Sequence, residues 1–269
     1  MRHALAIYRR LLGVQIRSQL QYRAAFLLEA LAALIANGMF FLSLALVLQR
    51  FEGIGGWGLG EIAFLVGMVE MAFATMDIIF SGFDPSFFGR WVRLGTFDQL
   101  MLRPVNLTVQ VLGSRFVLRR VGRLLQGIAI FAVALTMIDV QWTAAKLLFM
   151  PFVFLAMVAF FGGLFVVGAT ITFWTVESIE VMNIFTYGGS EMISYPMDIY
   201  PGWLRSFFTF VVPAIFLNYY PALYILGIQD PLGLPAWAAV MGPAVGLGML
   251  GLALLFWRFG VRHYQSTGT

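Results

Sequence analysis

The sequence predicts an all-α integral membrane fold with six transmembrane helices, and three observations lead there. Of the 269 residues, 61% are apolar and 11% are charged, where a soluble domain carries about 25% charge. The mean hydropathy of +0.87 agrees. The apolar residues collect in runs long enough to cross ~30 Å of hydrocarbon, which takes about 20 helical residues. The basic residues are placed asymmetrically. Fourteen of seventeen Lys and Arg fall in residues 2–23, in residues 83–123 and at Arg258 and Arg262, while Arg50, Lys146 and Arg205 fall between other runs. By the positive-inside rule this puts both termini in the cytoplasm.

In chain order, residues 1–23 form an interface helix. Leu5, Tyr8, Leu12, Ile16 and Leu20 share one face, with Arg10 and Arg17 off it and Arg9 snorkelling to the headgroups. A signal peptide does not fit, because the run 24–48 is long enough to span and no cleavage site follows a short apolar core. A glycine-rich turn with Trp57, suited to a membrane interface, precedes a second span over 62–83. The third span ends near Ile138 and begins before Leu124, since 124–138 alone is too short. Arg119, Arg120 and Arg123 line its cytoplasmic end. Residues 147–174 form the fourth span, where Gly162, Gly163 and Gly168 permit close helix contact. Two readings compete over 176–226. One is a span at 178–195, despite Glu177, Glu180, Asn183 and Glu191; the other is a span at 205–227, interrupted by Pro213 and Pro221. Residues 234–259 form the last span.

Between the second and third spans lies a basic loop, residues 84–115. Residues 83–123 hold Arg90, Arg93, Arg103, Arg115, Arg119, Arg120 and Arg123 against two acids, Asp84 and Asp98. At its centre Phe97, Leu100 and Met101 stand at i, i+3 and i+4 and give a short helix one apolar face. Asp98, Gln99 and Arg103 point elsewhere. Gly95 supplies a turn before this helix, and Pro104 ends it or begins another. An amphipathic helix facing the cytosol results.

Several chemistries are excluded. No G-x-x-x-x-G-K-[ST] phosphate loop occurs, and the single lysine is Lys146. His3 and His263 stand at opposite ends of the sequence, neither H-E-x-x-H nor G-x-S-x-G is present, and there is no cysteine. No catalytic or metal-ligating residues are assigned. The basic residues sit beside apolar runs, so the charge of +4 points to anionic lipid headgroups and not to nucleic acid. Ionisable groups within spans cost ~2.5–3.5 kcal/mol each and need an explanation. Glu70 and Asp77, seven apart on one helical face, and Glu191, after Gly188 and Gly189, are candidates for a substrate pathway. Pairing of Glu70 and Asp77 with Arg or with Asn37, Gln126 or Asn183 is the competing account. Glu29, Glu177 and Glu180 belong near the cytoplasmic boundary, paired with the basic segments. Phe80, Phe83, Phe87 and Phe88 are read as packing residues.

The segment GTFDQLMLRPVN, residues 95–106, resembles a signature of ABC type-2 permeases. The tail YQSTG at 264–268 resembles the ending of one branch of that family, and the early QYRAAFLLE ending at Glu29 and GGW at 55–57 fit it too. The resemblance implies an exporter permease that binds no cofactor itself, with ATP and Mg on a separate ABC ATPase subunit. It implies a coupling role for Phe97, Asp98, Leu100, Met101 and Arg103, and a second permease subunit, identical or homologous. It favours a fifth span at 178–195 followed by an external re-entrant hairpin over 197–233, in a bacterial cytoplasmic membrane. The rival class is a secondary transporter or channel driven by an ion gradient through Glu70, Asp77 and Glu191. A structural assembly protein comes third.

Overall fold

A computed structural model describes residues 2–21, 28, 31–32, 35, 38–39, 42–43, 46, 54–118, 120–175, 180–229, 233 and 235–266. The first expected span, 24–48, lies largely outside the described residues; those described within it are helical. Among the described residues there is no strand, and four helices are long and apolar enough to cross a membrane, or five if a bent pair counts as one. The expected six is therefore not reached within the described part of the chain.

Helix α1 (Arg2–Leu20) is followed by α2 (Leu59–Phe80), which a single 3₁₀ turn joins to α3 (Pro85–Arg93). Two short helices come next, α4 (Thr96–Met101) and α5 (Leu107–Leu112), before the long α6 (Arg120–Met137) and α7 (Ala144–Thr175). Helix α6 starts four residues before Leu124, as the length argument required. The backbone then becomes irregular. Helix α8 (Val181–Asn183), a π-helical turn (Ile184–Gly188) and α9 (Gly189–Ile193) form one short interrupted helix. Helix α10 (Gly202–Ser206) continues into a π turn over Phe207–Val211, and beyond it lies α11 (Tyr219–Leu226). The last helix is α12 (Gly242–His263).

Close backbone approach decides which helices pair. A Cβ added at Gly67 would stand 2.8 Å from the Phe131 Cα, and one at Gly127 would stand 2.7 Å from the Met71 nitrogen. Gly60 meets Met137. These contacts run in opposite senses, so α2 and α6 are antiparallel and nearly touching, as small residues allow in hydrocarbon. Gly246 against Ala156, Gly163 against Leu250 and Gly260 against Thr170 run in the same sense, so α7 and α12 are parallel. A parallel pair in sequence order obliges the chain to return from one end of the bundle to the other between Thr175 and Gly242. The interrupted helix over 181–193, about 20 Å long at 1.5 Å per residue, lies within that return.

The alternative span at 205–227 is a bent pair. Residues Gly202–Val211 and Ala214–Leu226 meet at 80°, where Pro213 supplies no N–H. The bend is pinned from below by Asn218, fully buried, whose Nδ2 donates to the Leu65 carbonyl at 3.2 Å and the Ile193 carbonyl at 2.8 Å. Irregular backbone is tolerated within a membrane only where protein covers it, and Asn218 is so covered. Trp57, in the glycine-rich turn before α2, is buried, with its ring 5.7 Å from that of Tyr219.

Overpacking should expose the α2–α6 contact. Gly67→Leu is expected to cost about 1–3 kcal/mol and lower the unfolding temperature in detergent. Gly248→Leu, with open space around it, should leave that temperature unchanged.

Candidate functional site

The basic loop folds into a compact platform at the end of α2. Asp84 caps α3, its Oδ1 accepting from the Ser86 and Phe87 amides at 3.0 and 3.3 Å. Gly95 takes φ +64°, the left-handed turn that starts α4 and that a Cβ disfavours. Asn106 caps α5 by accepting from the Val109 amide. Gln110, buried, reaches back to the carbonyls of Leu100 and Val105 at 3.1 and 2.9 Å, which ties α5 to α4. Helix α1 braces the far side: Gln15 donates to the Ser114 carbonyl, and Gln19 both donates to the Phe116 carbonyl and accepts from the Leu118 amide.

The structure corrects the outward apolar face expected of Phe97, Leu100 and Met101. Phe97 is fully buried and Leu100 nearly so, whereas Met101 is 42% exposed. The Phe97 ring lies 5.0 Å from Phe173 and Tyr264, 5.3 Å from Phe88 and 6.1 Å from Trp257. These partners belong to α7, α3, α12 and the tail. An apolar face on a six-residue helix has nowhere cheaper to go than the protein's own core, and edge-to-face geometry recurs through the cluster. The outward side is carried by Leu102, 85% exposed, Leu94, 62% exposed, and Met101, with exposed Arg103 beside them. Asp98 is held by the tail, accepting from the Ser266 hydroxyl at 2.7 Å. The segments 95–106 and 264–266 thus meet in space, a contact neither reveals alone.

A second constellation runs along α2. Glu70 forms a bidentate pair with Arg123, Oε2 to Nε at 2.6 Å and Oε1 to Nη2 at 2.8 Å. Asp77 Oδ2 lies 2.7 Å from Arg120 Nε, and Arg120 Nη1 donates to the Asp77 carbonyl at 2.8 Å. Asp84 Oδ2 lies 3.4 Å from Arg115 and 3.7 Å from Arg120. Asp84 is the rung that the sequence reading left out, although the seven-residue spacing 70, 77, 84 signals it. Arg123 and Arg115 also cover the rings of Phe73 and Phe87, at 5.0 and 4.5 Å. Glu191, after the π turn, is exposed and within electrostatic reach of Glu70 and Arg123. No group of acids and histidines among the described residues is arranged to hold a metal.

The profile of the ABC-2 family transporter proteins matches residues 34–268. The chain belongs to the ABC-2 transporter family. It is a multi-pass membrane permease of an ABC transporter, and four of its described helices are long and apolar enough to serve as spans. No curated protein and no solved structure shows a significant match to this ABC-2 permease.

Two outcomes are expected from the site. Removing one partner of an ion pair strands the other, by about 3–5 kcal/mol when both are buried. The Asp77–Arg120 side chains are 9% and 12% exposed and the Glu70–Arg123 pair 21% and 26%. Asp77→Asn should therefore lower the unfolding temperature in detergent more than Glu70→Gln does; the reverse order would contradict the ladder. Burial, and then the Asp98 carboxylate beside it, push the Tyr264 hydroxyl up to about 12. Since the folded value is raised, its contribution is complete below the ordinary tyrosine range near 10 and is lost as pH climbs through about 12. The tyrosinate absorbance missing from Tyr264→Phe should therefore appear near pH 12 in the parent protein.

Proposed function

We propose that this permease is the membrane-spanning half of an ATP-driven exporter, and that a separate ATPase subunit docks on the platform formed by residues 84–115. The observation that carries the reading is the apolar outer edge of Leu94, Met101 and Leu102 on a platform whose inner side is locked into the bundle. A chain without a phosphate loop must receive its driving force through a contact, and an exposed leucine edge on rigid backing suits insertion into a groove of the ATPase. ATP and Mg belong to that subunit. In this reading Phe97 and Leu100 are the backing, Asp98 is the tether to the tail, and Leu102 with Met101 and Arg103 is the contact.

The arginine-rich end of the bundle is then cytoplasmic and the bend at Pro213 external, in a bacterial cytoplasmic membrane. Six spans follow if 24–48 makes the first crossing and the return between Thr175 and Gly242 the fifth. The outward faces of α6 and α12, with Leu125, Ile128, Leu247 and Leu252 exposed, are available to lipid and to a second permease subunit. Arginines already engage Glu70 and Asp77, two of the three carboxylates an ion-gradient mechanism would use.

The test separates contact from backing. Leu102→Asp is expected to weaken association with the ATPase by roughly thirtyfold, since a central apolar anchor is worth ~2 kcal/mol or more, and to abolish substrate-stimulated ATP hydrolysis while leaving thermal stability unchanged. Phe97→Ala should lower thermal stability first. Normal co-purification and normal stimulation in Leu102→Asp would refute the docking role.

A further inference from the structure

Beside the arginine-rich end of α2 lies a cavity of about 340 Å³, lined by Asp84, Ser86, Phe87, Arg90, Arg115, Asn183 and Tyr187. Its hydrogen-bonding character follows from which of these groups are already engaged. Asp84 is saturated: one oxygen takes the Ser86 and Phe87 amides, and the other faces Arg115 and Arg120. The groups left over are donors. Arg90 has no side-chain partner among the described residues, nor do the hydroxyls of Ser86 and Tyr187. Arg115 uses one guanidinium nitrogen on Asp84 and lies over the Phe87 ring, so its other N–H groups remain. Asn183 gives one amide hydrogen to Glu180 at 2.7 Å and keeps another.

A cavity whose one carboxylate is consumed and whose remaining groups are guanidinium, hydroxyl and amide donors is complementary to a tetrahedral oxyanion. Arg120 divides itself between Asp77 and Asp84, and Arg90 is the lining guanidinium with no ion pair among the described residues. The cavity also lies beside the ends of α2 and α6, where a membrane places its headgroups.

We propose that this cavity binds the phosphate of a phospholipid from the cytoplasmic leaflet, with Arg90 and Arg115 as its charged ligands. The leaflet rests on the orientation given under Proposed function; the phosphate site does not. Arg90→Gln is the decisive variant, because that side chain has no hydrogen-bond or ion-pair partner among the described residues. The full chain, purified with the subunits that accompany it in a neutral detergent, is titrated with fluorescent short-chain phosphatidylglycerol. Diacylglycerol of the same chain length serves as the phosphate-free control and inorganic phosphate as competitor. Phosphatidylglycerol should bind, Arg90→Gln should weaken it by about fivefold, and Arg90→Gln with Arg115→Gln should abolish saturable binding. Arg262→Gln, an exposed arginine at the same end of α12, should leave it unchanged. Unaltered affinity in both cavity variants, or equal binding of diacylglycerol, would overturn the site. Displacement by inorganic phosphate at low millimolar concentration would assign it to free phosphate and overturn the lipid. Because the readout is binding and not ATP hydrolysis, it stands apart from the outcome for Leu102→Asp.

Discussion

The ladder of Glu70, Asp77 and Asp84 against Arg123, Arg120 and Arg115 holds the register on which the rest depends. In hydrocarbon, apolar side chains gain nothing by meeting each other in place of lipid, so helix pairs are set by close packing and by polar groups that need partners. Helices α2 and α6 use both. Gly60, Gly67 and Gly127 let the backbones touch, and the charges then specify which turn faces which. Arg120 and Arg123 are one turn apart whereas Glu70 and Asp77 are two, so a slip by one turn would leave at least one of these two carboxylates without its arginine. The last rung also fixes where the platform begins, because Asp84 is at once partner to Arg115 and cap of α3.

The second constraint is the aromatic node of Phe88, Phe97, Phe173, Trp257 and Tyr264. It welds the short helix α4 to the ends of α7 and α12, and Trp257 adds a hydrogen bond to Thr108 at 3.2 Å. A six-residue helix is marginal on its own; burial of Phe97 gives this one its place against the bundle. The platform and the ends of two long parallel helices are therefore packed as one unit.

Much of this was legible in the residues. The excess of arginine marked the loop, Gly95 and Pro104 bounded α4, and the length of 124–138 required an earlier start for α6. The spacing of Glu70 and Asp77 revealed their shared face, but periodicity within one helix does not say what stands opposite; the partners lie on α6, beyond a loop, and only packing brings them together. The direction of Phe97 was misread for a related reason. An apolar face on a cytosolic helix signals that something covers it, and the i, i+3, i+4 pattern is the same whether the cover is a partner or the protein's own tail. Tyr264 and Ser266, 166 or more positions from Asp98, decide the matter. The π turn at 184–188 had a hint in Gly188 and Gly189, whereas the tie from Asn218 to Leu65 and Ile193 had none.

The order in which the chain is made gives the aromatic node a temporal meaning. Phe97 leaves the ribosome before Phe173, Trp257 and Tyr264 exist, and at about 5–20 residues per second its last partner follows by roughly 10–30 s. Until then the helix has no interior to enter, and its apolar face is a surface for chaperones and lipid. The platform can set only after α12 and the tail have arrived. A chain truncated before Trp257 would therefore leave Phe97 without two of its four ring partners, so the packing of this short helix registers whether the last long helix and the tail have been made.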